Sequence, residues 1–333
     1  TALRCFIDAS YWVNNPTLNT ESGTLTFRQI LDDLLTRMAS RGIYLILSSG
    51  VINTVPTVMG YPPYTAQTLF TQSSFINYVI QQVTVLGSHN NLIIEPWNEP
   101  DYGWYGTDEA KLDLWQADWQ DILDGIRATE TANGQIHHLF MAGYWSTLAG
   151  WSNMEAVNFN YVANYPLTDS SGNTVWTVHC YRGDSFGGSG GSMGTVPPYP
   201  TLASLPHSYA DVKTKLQYEH LDTFSASHPV FIGEIGCNSN YDASNERDYL
   251  TNTLQIFNEW GISYASWWWR NENYGGFNMI TAGSESTTGG TVTTVGQILV
   301  DAIAAGGPPP PPPDQENPQA LRPNAVGTYN QFV

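Results

Sequence analysis

The chain has 333 residues, 41% of them hydrophobic and only 13% charged, and its 30 Asp+Glu against 12 Lys+Arg give a formal charge of -18. An acidic field of that size repels phosphate backbones and anionic membranes, which argues against nucleic acid and lipid surfaces as partners and favours neutral substrates. The length holds one large α/β domain plus a tail, and no apolar run is long enough for a membrane span.

Residues 3–9 (Leu-Arg-Cys-Phe-Ile-Asp-Ala) read as a strand, followed by an aromatic, Asn/Pro-rich loop with Tyr11 and Trp12. Thr26 and Gln29 form a capping box, and Phe27, Ile30, Leu31, Leu34, Leu35 and Met38 make the apolar face of a helix that stops at Gly42. A strand at 43–47 completes a βαβ unit, so its two strands are expected to run parallel. Beyond a Pro/Tyr loop at 51–65, the spacing predicts a helix over 74–86 with Phe75, Val79, Val83 and Leu86 on one face.

Residues 92–101 read Leu-Ile-Ile-Glu-Pro-Trp-Asn-Glu-Pro-Asp. An apolar run of strand length ends in Trp-Asn-Glu-Pro, so Glu99 sits where a buried strand gives way to a Pro-broken loop, beside the amide of Asn98. In parallel α/β folds the loops at the carboxyl ends of strands carry the chemistry. Glu95, inside the strand, is read as a structural hydrogen-bonding residue.

An aromatic loop at 101–106 precedes a long helix opened by Thr107 and running to about residue 130. A strand at 138–144 leads to Trp145 and Trp151. The strand at 174–181 (Thr-Val-Trp-Thr-Val-His-Cys-Tyr) alternates so that His179 and Tyr181 share one side, with Val178 and Cys180 opposite. A Gly/Ser/Pro-rich loop at 182–206 is long enough for a cleft wall or lid. Then come a helix over 208–224, a strand at 230–236 with Glu234 near its carboxyl end, a helix over 244–260, a strand at 262–269 and a closing helix over 294–305.

This alternation amounts to seven βα units, one short of an α/β fold of the (β/α)8 TIM-barrel class, so the first unit is expected upstream of residue 1. No signal peptide opens the chain, and residue 1 reads as a mature or truncated start. Residues 1–306 are read as the barrel domain. Residues 307–333 are a Pro-rich linker and tail, stiff and poor in apolar residues. The tail reads as a tether to a further domain, as an arm adding a strand to a neighbouring subunit, or, third in order, as the missing barrel strand.

Cys5, Cys180 and Cys237 have no metal spacing. Their strand-like settings favour buried free thiols, with a Cys180–Cys237 bridge as the alternative. The 12 Trp and 19 Tyr include many in loops, where flat aromatic faces suit the C–H faces of sugars, although ordinary packing must account for at least half of them. Tyr11, Trp12, Trp104, Tyr105, Trp145 and Trp151 are the weaker candidates for such platforms. No phosphate-cradling loop, nucleotide fingerprint or metal cluster is present in the sequence, so no cofactor is implied.

Taken together, an Arg near the end of an early strand, Asn-Glu-Pro after another, His-x-Tyr after a third, Gly-Glu at a fourth and a Trp at the last resemble glycoside hydrolase family 5, the cellulase and mannanase group of the retaining (β/α)8 clan. The resemblance spans residues 1–305 and keeps the family's motif order. It implies that Arg4 is the strand-two arginine, Asn98 and Glu99 the acid/base pair, His179 and Tyr181 the strand-six pair, Glu234 the nucleophile and Trp267 the strand-eight sugar platform. One departure stands out: the family usually has a His in Asp-Leu-His at the end of its third strand, where this chain reads Leu47-Ser48-Ser49-Gly50.

Hydrolysis with retention needs two carboxyl groups about 5 Å apart, one ionised to attack the anomeric carbon and one protonated to assist departure. Glu234 is expected to be kept ionised by Arg4 and the Tyr181 hydroxyl, and Glu99 protonated by apolar surroundings and the nearby charge. Asn98 would donate to the sugar 2-hydroxyl, and His179 would orient Glu99 or the sugar. The resemblance thus implies a secreted, extracellular endo-acting β-1,4-glucanase on cellulose or a related polysaccharide, with β-mannan or xyloglucan as the near alternative. The competing reading is a carbohydrate-binding or scaffold subunit built on a disabled barrel.

Overall fold

The computed structural model describes residues 2–7, 9–20, 23–49, 72–98, 112–147, 164–182, 207–238, 243–267, 278–279 and 291–305. They gather into two compact units: the first takes in the described parts of Thr1–Tyr144 and Tyr165–Trp176, the second those of Trp145–Asn164 and Thr177–Pro311.

In the first unit β1 (Ala2–Ile7) is followed by a short helix α1 (Ala9–Asn14) and an antiparallel hairpin of β2 (Thr17–Thr20) and β3 (Gly23–Thr26). Then come α2 (Phe27–Ala39), β4 (Tyr44–Ser49), α3 (Gln72–Leu86), β5 (Leu92–Glu95), α4 (Leu112–Asn133) and β6 (Leu139–Thr147, of which the part up to Tyr144 belongs here). The strands β1, β4, β5 and β6 pair in that order, each pair parallel. Parallel strands must be joined by crossovers, and the helices between them supply these.

The local reasons lie in the sequence. Thr26 Oγ1 accepts from the Gln29 N–H while Gln29 Oε1 accepts from the Thr26 N–H at 2.9 Å, closing the capping box that starts α2. Gly42, at φ 66°, turns the chain into β4. On α3, Phe75, Val79, Val83 and Leu86 are fully buried, as one apolar helical face must be.

The structure corrects the sequence reading at α1 and the hairpin, which lie in what reads as a loop. There Trp12 is fully buried: its Nε1 donates to Gln81 Oε1 at 3.0 Å, and the Arg28 guanidinium lies over its ring at 4.9 Å while bonding its carbonyl. A ring so covered is no sugar platform. Tyr11 remains 43% exposed, with its ring edge-on to Phe27.

In the second unit the sheet neighbours run β7 (Thr174–Cys180, of which Thr177 onward belongs here), β8 (Val230–Ile235) and β9 (Ser263–Ser266), with β8 and β9 parallel. Helices α5 (Tyr209–Tyr218) and α6 (Leu221–Ser225) precede β8, α7 (Ala243–Trp260) precedes β9, and α8 (Thr294–Ala305) follows. The single helix expected over 208–224 is two helices, broken at His220 with φ 60°. Leu216 and Leu221 are both fully buried, yet five residues on a straight helix would set them about 140° apart, so the break is what turns both inward.

All three cysteines are free thiols: Cys180 and Cys237 buried, Cys5 half-buried. Burial raises Cys180 to about 11 and Cys237 to about 12, which leaves almost no thiolate near neutrality. A thiol reagent at pH 8 is therefore expected to titrate at most Cys5 in the native protein and all three after denaturation. Fewer than three in denaturant would establish a disulfide. Among the described residues no helix is long and apolar enough to cross a membrane.

Candidate active site

In the first unit β5 ends at Glu95, and the chain continues through Pro96, Trp97 and Asn98. Trp97 is 1% exposed and packs edge-on against Phe75 of α3 at 5.3 Å. Phe75 also meets Trp119 on α4, which stacks on Trp115. Deleting a ring from such a cluster costs about 3–5 kcal/mol. Trp97 therefore holds the strand exit, as a packing residue.

Asn98 is fixed at both ends. Its backbone N–H donates to the Ser49 carbonyl at 3.0 Å, carrying the β4–β5 ladder past the last residue of β5, and its Oδ1 accepts from Arg4 Nη2 at 2.7 Å. Arg4 has only donors, so the amide must turn its oxygen to it and keep its N–H2 group for another acceptor. Arg4 also bonds Glu95: Nε to Oε2 at 2.6 Å and Nη2 to Oε1 at 2.8 Å. The pair is enclosed, with the two side chains 6% and 2% exposed. Sequence reasoning read Glu95 as structural but did not pair it with Arg4.

At the end of β4 the two serines face different surroundings. Ser49 Oγ bonds Tyr78 Oη at 3.1 Å and accepts from Gln82 Nε2, both on α3, whereas Ser48 Oγ is buried with no hydrogen-bond partner among the described residues.

In the second unit β7 alternates as its sequence requires. Cys180 Sγ meets Tyr249 Oη on α7 at 3.2 Å, while His179 and Tyr181 turn to Glu234. Tyr181 Oη donates to Glu234 Oε2 at 2.7 Å, and His179 Nδ1 lies 3.4 Å from the same oxygen. All three side chains are buried: His179 is 5%, Tyr181 1% and Glu234 5% exposed. Trp267, directly after β9, presents its ring edge-on to Tyr181 at 6.2 Å, and its N–H donates to the Ile235 carbonyl. Trp267 is 8% exposed, so little of its face meets solvent.

A carboxylate held by a phenol and an imidazole, beside an indole at the neighbouring strand end, has the makings of a nucleophile or an electrostatic stabiliser. In the same unit Arg182 approaches Glu246 at 3.6 Å, and Glu246 Oε2 accepts the Asn238 N–H at 2.9 Å, a buried brace that sequence reasoning missed. Glu99 and Trp104 lie outside the described residues, as do Tyr105 and Trp151, and of Trp145 only the backbone, in β6, is described. Among the described residues no group of His, Cys, Asp and Glu is placed to hold a metal ion.

The model of the cellulase family, glycosyl hydrolase family 5, matches residues 2–273 of the chain. No curated protein sequence matches it. Among solved structures it is similar to the endoglucanase Cel5A of the hyperthermophile Thermotoga maritima, with TM-score 0.58 and 15% identity over 90% of this chain and 84% of that one. A β-mannanase from Streptomyces thermolilacinus aligns with TM-score 0.54 and 17% identity over 90% and 79%. The Pseudomonas stutzeri endoglucanase Cel5A gives TM-score 0.54 and 17% identity over 83% and 76%. At such identities the likeness shows the fold, a (β/α)8 barrel.

Proposed function

We propose that this chain, which belongs to glycosyl hydrolase family 5, is an extracellular endo-acting enzyme that cleaves β-1,4-glucan with retention of configuration. Ionised Glu234 attacks the anomeric carbon as Glu99 gives its proton to the departing glycosidic oxygen. Water then displaces Glu234 from the sugar, its proton returning to Glu99. Tyr181 steadies the attacking carboxylate, the Asn98 amide donates to the sugar 2-hydroxyl, and Trp267 supplies an apolar wall. The observation that carries the reading is the enclosed Tyr181–Glu234 hydrogen bond of 2.7 Å at the carboxyl end of β8, in a chain of this family. A polymeric substrate that cannot enter cells accounts for the extracellular placement.

The structural relatives bear names of both endoglucanases and β-mannanases, which makes β-mannan the second substrate to test. Reducing-sugar release should be measured on a soluble β-1,4-glucan, a galactomannan and a xyloglucan, with the anomer first formed read by NMR. Release from glucan with the β-anomer appearing first is expected. Release from mannan alone would move the substrate, an α-anomer would overturn retention, and no release from any polymer by folded protein would leave the scaffold reading.

The reaction needs Glu234 ionised and Glu99 protonated at once, so the rate should be bell-shaped in pH with its maximum on the acidic side of neutral. A rate that stays flat from weakly acid to alkaline solution contradicts the two-carboxylate assignment.

A further inference from the structure

We infer that Gly233 is a positioning residue for Glu234, acting through the space it leaves for Thr177 and His179; the inference rests on the reaction proposed above. Two observations lead to it. The first is the register of β8 against β9: Ile232 faces Tyr264 and Ile235 faces Ser266, so three steps along β8 match two along β9. One extra residue is accommodated at Gly233–Glu234, which makes a β-bulge, the device that re-aims a side chain at a strand end. On an unbroken strand, residues 233 and 234 would point to opposite faces. Here the glycine's missing side chain points at Thr177 and His179, while the Glu234 carboxylate meets His179 and Tyr181.

The second observation is the lack of room. A Cβ on Gly233 would lie 2.7 Å from Thr177 Oγ1 and 3.2 Å from His179 Nε2. Gly233 is not among the glycines with positive φ, so its backbone is open to alanine and only space forbids the methyl. A glycine inside a strand weakens it unless something must approach closely, and here that something is the pair of side chains, Thr177 and His179, that a Cβ there would meet. Thr177 is 2% exposed and β-branched, with little freedom to turn away. Among the described residues its Oγ1 has no hydrogen-bond partner, so removing it forfeits no bond to any of them.

A methyl at 233 must therefore displace His179 or the bulge, and either shift moves the Glu234 carboxylate from the line of attack. Displacement by about 1 Å costs on the order of 10²-fold in rate.

The test is a double-mutant cycle on Gly233→Ala and Thr177→Ala, with kcat, KM and melting temperature measured for each. Gly233→Ala is expected to lower kcat about 10²-fold with KM changed less than about 3-fold, and to lower the melting temperature by about 3–8 °C. Thr177→Ala should stay within about 3-fold of the parent, and the double variant should regain at least about 10-fold in kcat over Gly233→Ala and most of the lost melting temperature. Parent-like kcat in Gly233→Ala overturns the inference, as does a double variant no better than Gly233→Ala. If Gly233→Ala does not fold, the double variant must fold and turn over; failure in either respect overturns the inference too. An inactive parent defeats the proposed reaction instead, and the melting temperatures of the four proteins then decide the steric coupling by themselves.

Discussion

Replacing Glu234 by Gln is expected to lower reducing-sugar release by on the order of 10⁴-fold, with the melting temperature within a few degrees of the parent. The substitution keeps shape and volume, and the new amide oxygen still accepts the Tyr181 hydroxyl that now donates to Oε2 at 2.7 Å. What disappears is the charge and the lone pair able to form the glycosyl–enzyme bond. Glu99→Gln should differ in kind: protonation of the leaving group matters less when the leaving group is already good. An aryl glycoside with an acidic phenol should therefore still release its phenol quickly from Glu99→Gln and slowly from Glu234→Gln. Parent-like polymer hydrolysis by Glu234→Gln, in protein that melts normally, would remove this residue from the mechanism and, with it, the grouping of His179, Tyr181 and Trp267 as a site.

How much of this was readable beforehand depends on whether a local rule governs each feature. The capping box at Thr26, the Phe75 face of α3 and the alternation of β7 are local, and the structure follows them. The same alternation rule fails at the next strand: applied to β8 it cannot place Gly233 and Glu234, because a bulge is set by pairing with β9 and leaves no mark in the sequence of β8 alone. The Gly-Glu pair was visible as a motif, but the reason for the glycine was not, since Thr177 is far away in sequence. Arg4 presented the same difficulty. Its charge was legible, whereas its partners Glu95 and Asn98 are reached through strand pairing across β4. The short α1 was hidden because Trp12 and Tyr11 lack helical apolar spacing, and it is the burial of Trp12 under Arg28 that organises it.

A second large effect, on stability, is expected in the first unit, at the carboxylates that anchor the starts of β6 and β7. Glu130 is fully enclosed and accepts from the His138 N–H and Arg127 Nη1, with the rings of His137 and His138 also against it. Arg127 reaches on to Asp169 at 2.9 Å and to the His138 carbonyl. Asp169 in turn takes the Ser171 and Asn173 N–H groups and the Thr174 hydroxyl, tying the turn that leads into β7. Burial alone would push both carboxyls up. The hydrogen bonds outweigh it: those of His138 and Arg127 hold Glu130 below its ordinary value, and those of Arg127 and Ser171 hold Asp169 well below the carboxylate range. Glu130→Ala leaves Arg127 and His138 facing a buried gap, which costs about 3–5 kcal/mol, or a fall in melting temperature of about 6–15 °C. The pH signature separates this from simple loss of packing. Both groups have folded-state values below their unfolded ones, so their contribution is complete above about pH 4–5 and fades as pH falls through the folded values. The parent should therefore melt at steeply lower temperature as the solution is taken from pH 5 to pH 3. Asp169→Asn should destabilise the protein at pH 7 but flatten that acid slope, because the proton whose uptake drives it no longer has a site. An Asp169→Asn variant with the parent's full acid slope would show that the loss at low pH comes from other groups, and that this network holds the strand starts by packing alone.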